Sequence, residues 1–366
     1  MDTHVALLDL SFDELEGLVR SWGEPTFRAR QVWAWLYQKL AASFDEMTEL
    51  PKLLRQRLAA ETVVGRLTPR AEQRSSDGQT RKLLFALPDG AQIESVLMGY
   101  ERRRTTCIST QAGCGMNCSF CATGQGGLER NLTAGEIVEQ VLFFARELKS
   151  EAGSPKSRIG ERPSDLRPLT SDLTNIVFMG MGEPFANYDS FMAAVRRLND
   201  PAGFNFGARR MTVSTVGLAP GINKLAGEDV QINLAVSLHA ATDELRARLV
   251  PINKRYSLDV LMSAVRQYIE RTRRRVSFEW ALIEGVNDTP EQARALAKLV
   301  KGMLCHVNLI PLNPTSGYSG AASTRERITA FRAILEAANI PNTLRLRRGI
   351  DIQAGCGQLR QRASER

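Results

Sequence analysis

Cys114-Gly115-Met116-Asn117-Cys118-Ser119-Phe120-Cys121 sets three cysteines at the spacing Cys-x3-Cys-x2-Cys, directly after a strand-like run over residues 105–110. Three thiolates so spaced can wrap one side of a cubane [4Fe–4S] cluster and leave its fourth iron open. A tetrahedral zinc site needs a fourth ligand, which Cys107 could supply, but zinc cysteines more often come as Cys-x2-Cys knuckles separated by a longer loop. Three buried thiols with no ligand would sit poorly in a loop of Gly, Ser and Asn. The cluster reading is preferred on these grounds.

Outward from this loop the chain alternates strand and helix. Strands are expected over 105–110, 173–179, 210–215, 231–238, 276–283 and 303–310. Helices are expected over 134–148, 190–198, 242–250, 258–271, 290–301 and 324–337. Six β/α units imply a parallel sheet with right-handed crossovers. The expected fold is α/β, a partial (β/α)6 barrel, with an open doubly wound sheet as the alternative. In a barrel, chemistry gathers at the carboxyl ends of the strands, where the cysteine loop lies.

Ahead of the barrel, β-prone runs over 82–87 and 92–98 flank Pro88-Asp89-Gly90 and read as a hairpin. The first sixty residues read as three helices. Ser11 and Glu14 form a capping box, Gly23 closes the first helix, and Pro51 precedes the third. Trp33 and Trp35 follow Arg28 and Arg30 at helical spacing. They suit the core of a small domain better than a base-stacking platform. The expected organisation is a helical RNA-binding unit over 1–62, a hairpin connector over 63–99, the barrel over 100–345 and a C-terminal segment over 346–366. Residues 149–170, rich in Pro, Ser and Arg, read as a surface insertion.

Of 366 residues 43% are hydrophobic and 24% charged, which excludes disordered, collagenous and coiled-coil classes. The net charge is +8, and 39 of the 48 basic residues are Arg. That composition fits either a polyanionic partner or simply solvated helices. No apolar run reaches the roughly 18 residues of a membrane span, and no secretory signal is evident, so a soluble cytoplasmic protein is expected. Six cysteines there argue against a disulfide framework. The histidines are His4, His239 and His306, and a three-histidine metal site would consume them all.

Polar groups recur where the expected strands end. Gly180-Met181-Gly182-Glu183-Pro184 follows the second, Ser214 ends the third, Ser237-Leu238-His239-Ala240 ends the fourth, and Asn313 follows the sixth. Each alone reads as a turn or cap. Recurring at successive strand ends, they converge on one site.

These features resemble the radical S-adenosylmethionine (SAM) superfamily and, within it, the RNA adenine methyltransferases of RlmN/Cfr type. The resemblance covers nearly the whole chain. It rests on Phe27-Arg28-Ala29-Arg30-Gln31-Val32, Phe44-Asp45-Glu46-Met47-Thr48, Cys107-Ile108-Ser109-Thr110-Gln111, Arg130-Asn131-Leu132-Thr133-Ala134-Gly135-Glu136, and Arg348-Gly349-Ile350-Asp351-Ile352-Gln353-Ala354-Gly355-Cys356-Gly357.

The resemblance implies that Cys114, Cys118 and Cys121 bind the [4Fe–4S] cluster. It implies SAM on the open iron, held by Gly182, Glu183, Ser214, Ser237, Leu238, His239 and Asn313. Adenine C2 is not nucleophilic, so a direct polar methyl transfer to it should fail. The family's route has Cys356 take a methyl group from one SAM. A radical derived from a second SAM then activates that methyl, and a methylene bridge joins Cys356 to the RNA. Cys107 resolves the adduct with a Cys107–Cys356 disulfide, and Glu94 accepts the proton. Implied substrates are an adenosine of 23S rRNA and the adenosine 3′ of the anticodon in some tRNAs. An electron donor such as flavodoxin or ferredoxin is implied, and a monomer is expected. Candidate phosphate contacts are residues 102–104, 209–210 and 345–348. The competing readings are adenine C8 methylation of the Cfr type and a non-catalytic, zinc-dependent RNA-binding protein. Cys305 is left to the core.

Overall fold

The computed structural model describes residues 4–101, 103–153, 173–313, 315 and 317–345. Its centre is a ten-stranded sheet. The first three strands are β1 (Thr68–Arg74), β2 (Thr80–Ala86) and β3 (Gln92–Tyr100). The next four are β4 (Arg103–Cys107), β5 (Asn175–Phe178), β6 (Met211–Thr215) and β7 (Asn233–Ser237). The last three are β8 (Val276–Leu282), β9 (Cys305–Pro311) and β10 (Asn342–Leu344).

Spatial order follows chain order from β10 to β1 without reversal. Strands β4 to β10 are parallel, and β1 to β3 run antiparallel against the β4 edge. A doubly wound sheet reverses strand order at a switch point, so that alternative is excluded. The hairpin is continuous with the barrel sheet, because Val96 of β3 pairs with Cys107 of β4.

The sheet also curls. One cavity of about 560 Å³ is lined by Arg103 and Thr105 on β4 and by Thr343 on β10. Seven strands laid flat would hold those edges roughly 29 Å apart.

Alternation along the strands assigns the two faces. On β9, Cys305, Val307 and Leu309 are buried, whereas His306, Asn308 and Ile310 are only half-buried. The outer face packs under the crossover helices, among them Pro290–Val300 and Arg325–Ala337, where Trp280 meets Phe331 with ring centroids 5.8 Å apart. Each large side chain buried this way contributes roughly 1.5–3 kcal/mol. The inner face presents Thr105, Thr212, Ser277, Asn308 and Thr343 to the cavity. Parallel strands covered on both faces are apolar throughout. These are polar inside, because the inner face lines a space rather than a packed core.

The N-terminal reading holds locally. The Ser11 N–H donates to Glu14 Oε2 at 2.7 Å, and the Glu14 N–H donates to Ser11 Oγ at 3.3 Å, opening the helix Phe12–Ser21. Of the second-helix aromatics, Trp33 and Tyr37 are core and Trp35 is half-buried. Trp33 Nε1 donates to Asp200 Oδ2 at 2.8 Å, and Arg197 donates to Leu8 O and Asp9 O, both at 2.7 Å. These bonds tie the helical unit to the helix Tyr188–Asn199.

Some elements escape the sequence reading. Strand β1, Thr-Pro-Arg-Ala-Glu-Gln-Arg, is a charged, exposed edge with an irregularity at Pro69, so it carries no apolar alternation. A small sheet pairs Gln111–Gly113 with Leu128–Asn131, and the short helix Ala219–Leu225 was likewise unanticipated. The strand expected over 105–110 ends at Cys107. Residues 108–110 continue extended: the Ile108 N–H donates to Val177 O, and the Thr110 N–H to Met181 O. No helix among the described residues is long and apolar enough to cross a membrane. Cys356, Arg102, residues 346–348 and most of the expected insertion lie outside the described residues.

Candidate active site

The cysteine loop is pinned at both ends. Gln111–Gly113 and Leu128–Asn131 pair antiparallel around it, and the Cys114 N–H donates to Gly127 O at 2.7 Å. Gly113 has φ +79°, and a Cβ there would lie 2.0 Å from Gly127 O, so no other residue fits. Within the loop the Cys121 N–H donates to Cys118 O at 3.1 Å. The loop docks on a satellite apolar cluster. Met116, Cys118 and Phe120 pack against Val216, Ala240, Leu245 and Leu249, and the Ser119 N–H donates to Leu249 O at 3.0 Å.

Burial pushes the Cys114 thiol up to about 12, and the charge of Cys121 adds to the effect. Burial likewise raises Cys118, reinforced by Cys121 and Cys114 and opposed by Arg246. The three sulfurs are thus close enough to oppose one another's ionisation. Among the described residues no three His, Cys, Asp or Glu side chains are already closed to metal-ligating distance. Three mutually repelling thiolates in a dry loop fit an iron–sulfur cluster, whose positive irons remove that repulsion.

The strand-end residues converge from β5, β6 and β7. Gly180 and Gly182 lie flat on the chain leading to the cysteines. A Cβ on Gly180 would meet Ile108 O at 2.6 Å, and one on Gly182, whose φ is +102°, would meet Gln111 Cβ at 2.6 Å. Glu183 is buried, and desolvation pushes its pKa up to about 7. Its Oε2 accepts the Val216 N–H at 2.7 Å and its Oε1 the Phe185 N–H at 3.0 Å, so the carboxylate joins the ends of β5 and β6. Ser214 and Ser237 stand with their Oγ atoms 3.3 Å apart. Leu238 is buried beside them, while Asn313 is exposed beyond β9.

His239 adopts φ +59°. Its Nδ1 accepts the Ala281 N–H at 2.9 Å, and its ring meets Phe120 edge-on at 4.9 Å. Burial, then the nearby Arg246, lowers its pKa to about 3, so the ring is neutral with its proton on Nε2.

Beside β5, Cys107 ends β4 on the inner face, two residues beyond the cavity-lining Thr105. Glu94 lies on the same face of β3, two residues from Val96, the partner of Cys107. Lys82 Nζ lies 2.7 Å from Glu94 Oε2, and both side chains are buried. Cys305 is buried in the main core.

Residues 5–64 match the family model for the ribosomal RNA large subunit methyltransferase N-terminal domain. A probable dual-specificity RNA methyltransferase RlmN from Chloroflexus aurantiacus is 52% identical over 364 residues, covering 98% of this chain and 93% of that protein. The chain belongs to the RlmN family. A dual-specificity RNA methyltransferase RlmN 1 from Myxococcus xanthus is 49% identical over 366 residues, covering 100% of this chain and 97% of that one. A crystal structure of a radical SAM methyltransferase from Sphaerobacter thermophilus superposes with a TM-score of 0.90 at 51% identity, covering 97% and 98%. The RlmN family is a family of SAM-dependent methyltransferases of the radical type, and membership implies SAM and a [4Fe–4S] cluster. This bears out the expected cofactors at the level of the family, an iron–sulfur cluster and SAM.

Two residues of this RlmN-family site were not singled out from sequence. Lys82, in Arg81-Lys82-Leu83, opens the first β-prone run of the expected hairpin, 82–87. Arg246, in Asp243-Glu244-Leu245-Arg246, lies in the helix expected over 242–250 and is fully buried. Its guanidinium donates to Val216 O at 2.6 Å, Asn253 Oδ1 at 2.9 Å, Leu238 O at 3.1 Å and Ser237 O at 3.2 Å.

Proposed function

We propose that this chain methylates C2 of an adenosine in 23S rRNA and of the adenosine 3′ of the anticodon in some tRNAs. The relatives named above are dual-specificity RNA methyltransferases, which supports two RNA substrates. The observation that carries the reading is the company Cys107 keeps. A thiol and a carboxylate, Glu94, share one face of the sheet, and Cys107 ends β4 as Ser214 and Ser237 stand at the ends of β6 and β7.

Cys114, Cys118 and Cys121 hold the cluster. The strand ends at Gly182, Glu183, Ser214, Ser237, Leu238 and His239, with Asn313 beyond them, hold SAM. When bound, cluster and SAM supply a 5′-deoxyadenosyl radical and, from a second SAM, the methyl group. Cys356 carries that methyl as a thioether, gives up one of its hydrogen atoms to the radical, and the resulting S–CH2 carbon bonds to adenine C2 as a methylene bridge. Glu94 accepts the proton released from C2, its carboxylate held in place by Lys82. The Cys107 thiolate then bonds to Cys356 sulfur as the Cys356 S–CH2 bond breaks, the freed carbon takes up a proton to become the product methyl, and the one electron left over on closing the disulfide returns to the electron-transfer chain. Electrons come from a flavodoxin- or ferredoxin-type donor, and the enzyme works as a monomer in the cytoplasm. Exposed Arg209 and Arg210 contact phosphate, as do Arg103 and Arg345 at the cavity rim.

Reconstituted enzyme incubated anaerobically with SAM, reductant and rRNA or tRNA should yield 2-methyladenosine by nucleoside mass spectrometry. A product methylated at C8 would overturn the regiochemistry. Unmodified RNA with SAM left intact would overturn the activity.

A further inference from the structure

Among the described residues, the inner face of the barrel sheet holds a buried acid that this chemistry leaves unused. Glu279 stands midway along β8 on the inner face, 4% exposed, paired in register with Ser237 of β7 and Asn308 of β9. Asn308 Nδ2 donates to Glu279 Oε1 at 2.8 Å, and Thr343 Oγ1 donates to Asn308 Oδ1 at 2.8 Å, so the amide is locked with its NH2 toward the carboxylate. Glu279 Oε2 has no hydrogen-bond donor among the described residues. Arg345 Nη1 approaches it to 3.6 Å from a largely exposed side chain without a hydrogen bond. A buried carboxylate oxygen without a donor is costly, and a ligand that brings one recovers that cost.

Glu279 is among the residues that line the 560 Å³ cavity, whose volume suits a small-molecule-sized group. The cavity's other lining residues include Tyr100, Arg103, Val177 and Ser277. Glu279 stands level with Ser237, its register partner, but midway along its own strand, because β8 runs three residues further than β7 past this pair.

We propose that Glu279 Oε2 accepts the N6 amino group of the target adenine, making Glu279 the residue by which the barrel distinguishes adenine from other purines. This deepens the reading that adenosine is the substrate, and rests on it. An RNA base must be splayed out of its stack to enter such a cavity, and its Watson–Crick edge is then open to the protein. Adenine carries a donor at position 6. Guanine and hypoxanthine carry a carbonyl there, and its lone pairs would face the carboxylate. Burial pushes the Glu279 pKa up, while Arg345 and Asn308 pull it back, and an amino group at Oε2 adds another donor to the ionised form.

Glu279→Gln inverts the pattern. Asn308 Nδ2 requires an acceptor and holds the new amide oxygen at the Oε1 position. The new NH2 then falls where Oε2 was, offering a donor to a base that also offers one.

The test uses anticodon stem-loop RNAs with adenosine, purine riboside or inosine at the target position, each methylated by reconstituted holoenzyme. Wild type should favour adenosine over both analogues by roughly 10- to 100-fold in kcat/KM, the range of a charge-assisted hydrogen bond. Glu279→Gln should erase or reverse the adenosine-to-inosine ratio. Its cluster absorbance and its RNA-independent SAM cleavage should match wild type. Equal wild-type rates on adenosine and purine riboside would overturn the inference even if the variant fails to fold. A variant with an unchanged ratio would overturn it too, as would one that has lost SAM cleavage, since that would assign Glu279 to the cofactor. A wild type that methylates none of the three RNAs would instead overturn the adenosine reading beneath it.

Discussion

Lys82 Nζ lies 2.7 Å from Glu94 Oε2, and neither side chain exposes more than 2% of its surface. Lys82, Val96 and Cys107 are register partners across β2, β3 and β4, so this ion pair stands beside the Cys107 thiol on the inner face.

Breaking such a pair leaves an uncompensated buried charge. Lys82→Met is expected to cost ~3–5 kcal/mol, and Lys82→Met with Glu94→Leu should recover most of it. Urea unfolding checks both. If Glu94 accepts the C2 proton, the double variant is stable and inactive. A fully active double variant would sink that role.

The buried His239 sets an acid limit. Its folded pKa near 3 lies below the ordinary value of 6.5, so the unfolded chain takes up the proton first. This stability is fully present above pH 6.5 and is lost as pH falls toward 3, the loss being on the order of a few kcal/mol. His239→Asn keeps an acceptor near Ala281 and tolerates the positive φ. Thermal melts across pH 3–7 should show a shallower acid decline for this variant. An identical decline would contradict the assignment.

Arg246 binds the ends of β6 and β7 from a helix whose Leu249 carbonyl holds Ser119 of the cysteine loop. Arg246→Met strands three carbonyls and is expected to destabilise the fold by about 3 kcal/mol or more. The same variant should retain less iron per chain after anaerobic reconstitution, with Arg246→Lys intermediate. Iron content equal to wild type would show that the loop does not depend on this residue.

Gly182→Ala forces a Cβ into Gln111 at 2.6 Å while φ stays at +102°. The expected cost is ~2–4 kcal/mol, with weaker SAM binding because the strand end must move off the cysteine segment. Isothermal titration against the reconstituted protein measures it, and unaltered affinity would remove this turn from the cofactor site.

Cys107→Ala should leave the cluster intact and accumulate protein covalently joined to RNA, visible as a shifted band on a denaturing gel. Free turnover by this variant would remove Cys107 from the resolution step.

The fold was legible because its signals are local. Alternating apolar runs and helical periods over 173–337 marked the strands and helices of the barrel to within a few residues. Strand β1 was not legible, since an edge strand of charged residues buries too little to leave a pattern. The helix caps at Ser11 and Pro51 could be read directly, because a cap is settled within four residues.

At the candidate site the same division holds. The cysteine spacing and the glycines at 180 and 182 speak for themselves, because ligand loops and close backbone approaches are short-range. Lys82, Arg246 and Glu279 look like ordinary surface charges along the chain, and each is buried by partners 12 to 30 residues away in sequence or more. Sequence alone determined that six β/α units would carry a three-thiol loop at a strand end. Only the tertiary structure decided which strand face is polar and which charges meet there, because register between strands and the curl of the sheet are properties of many residues at once.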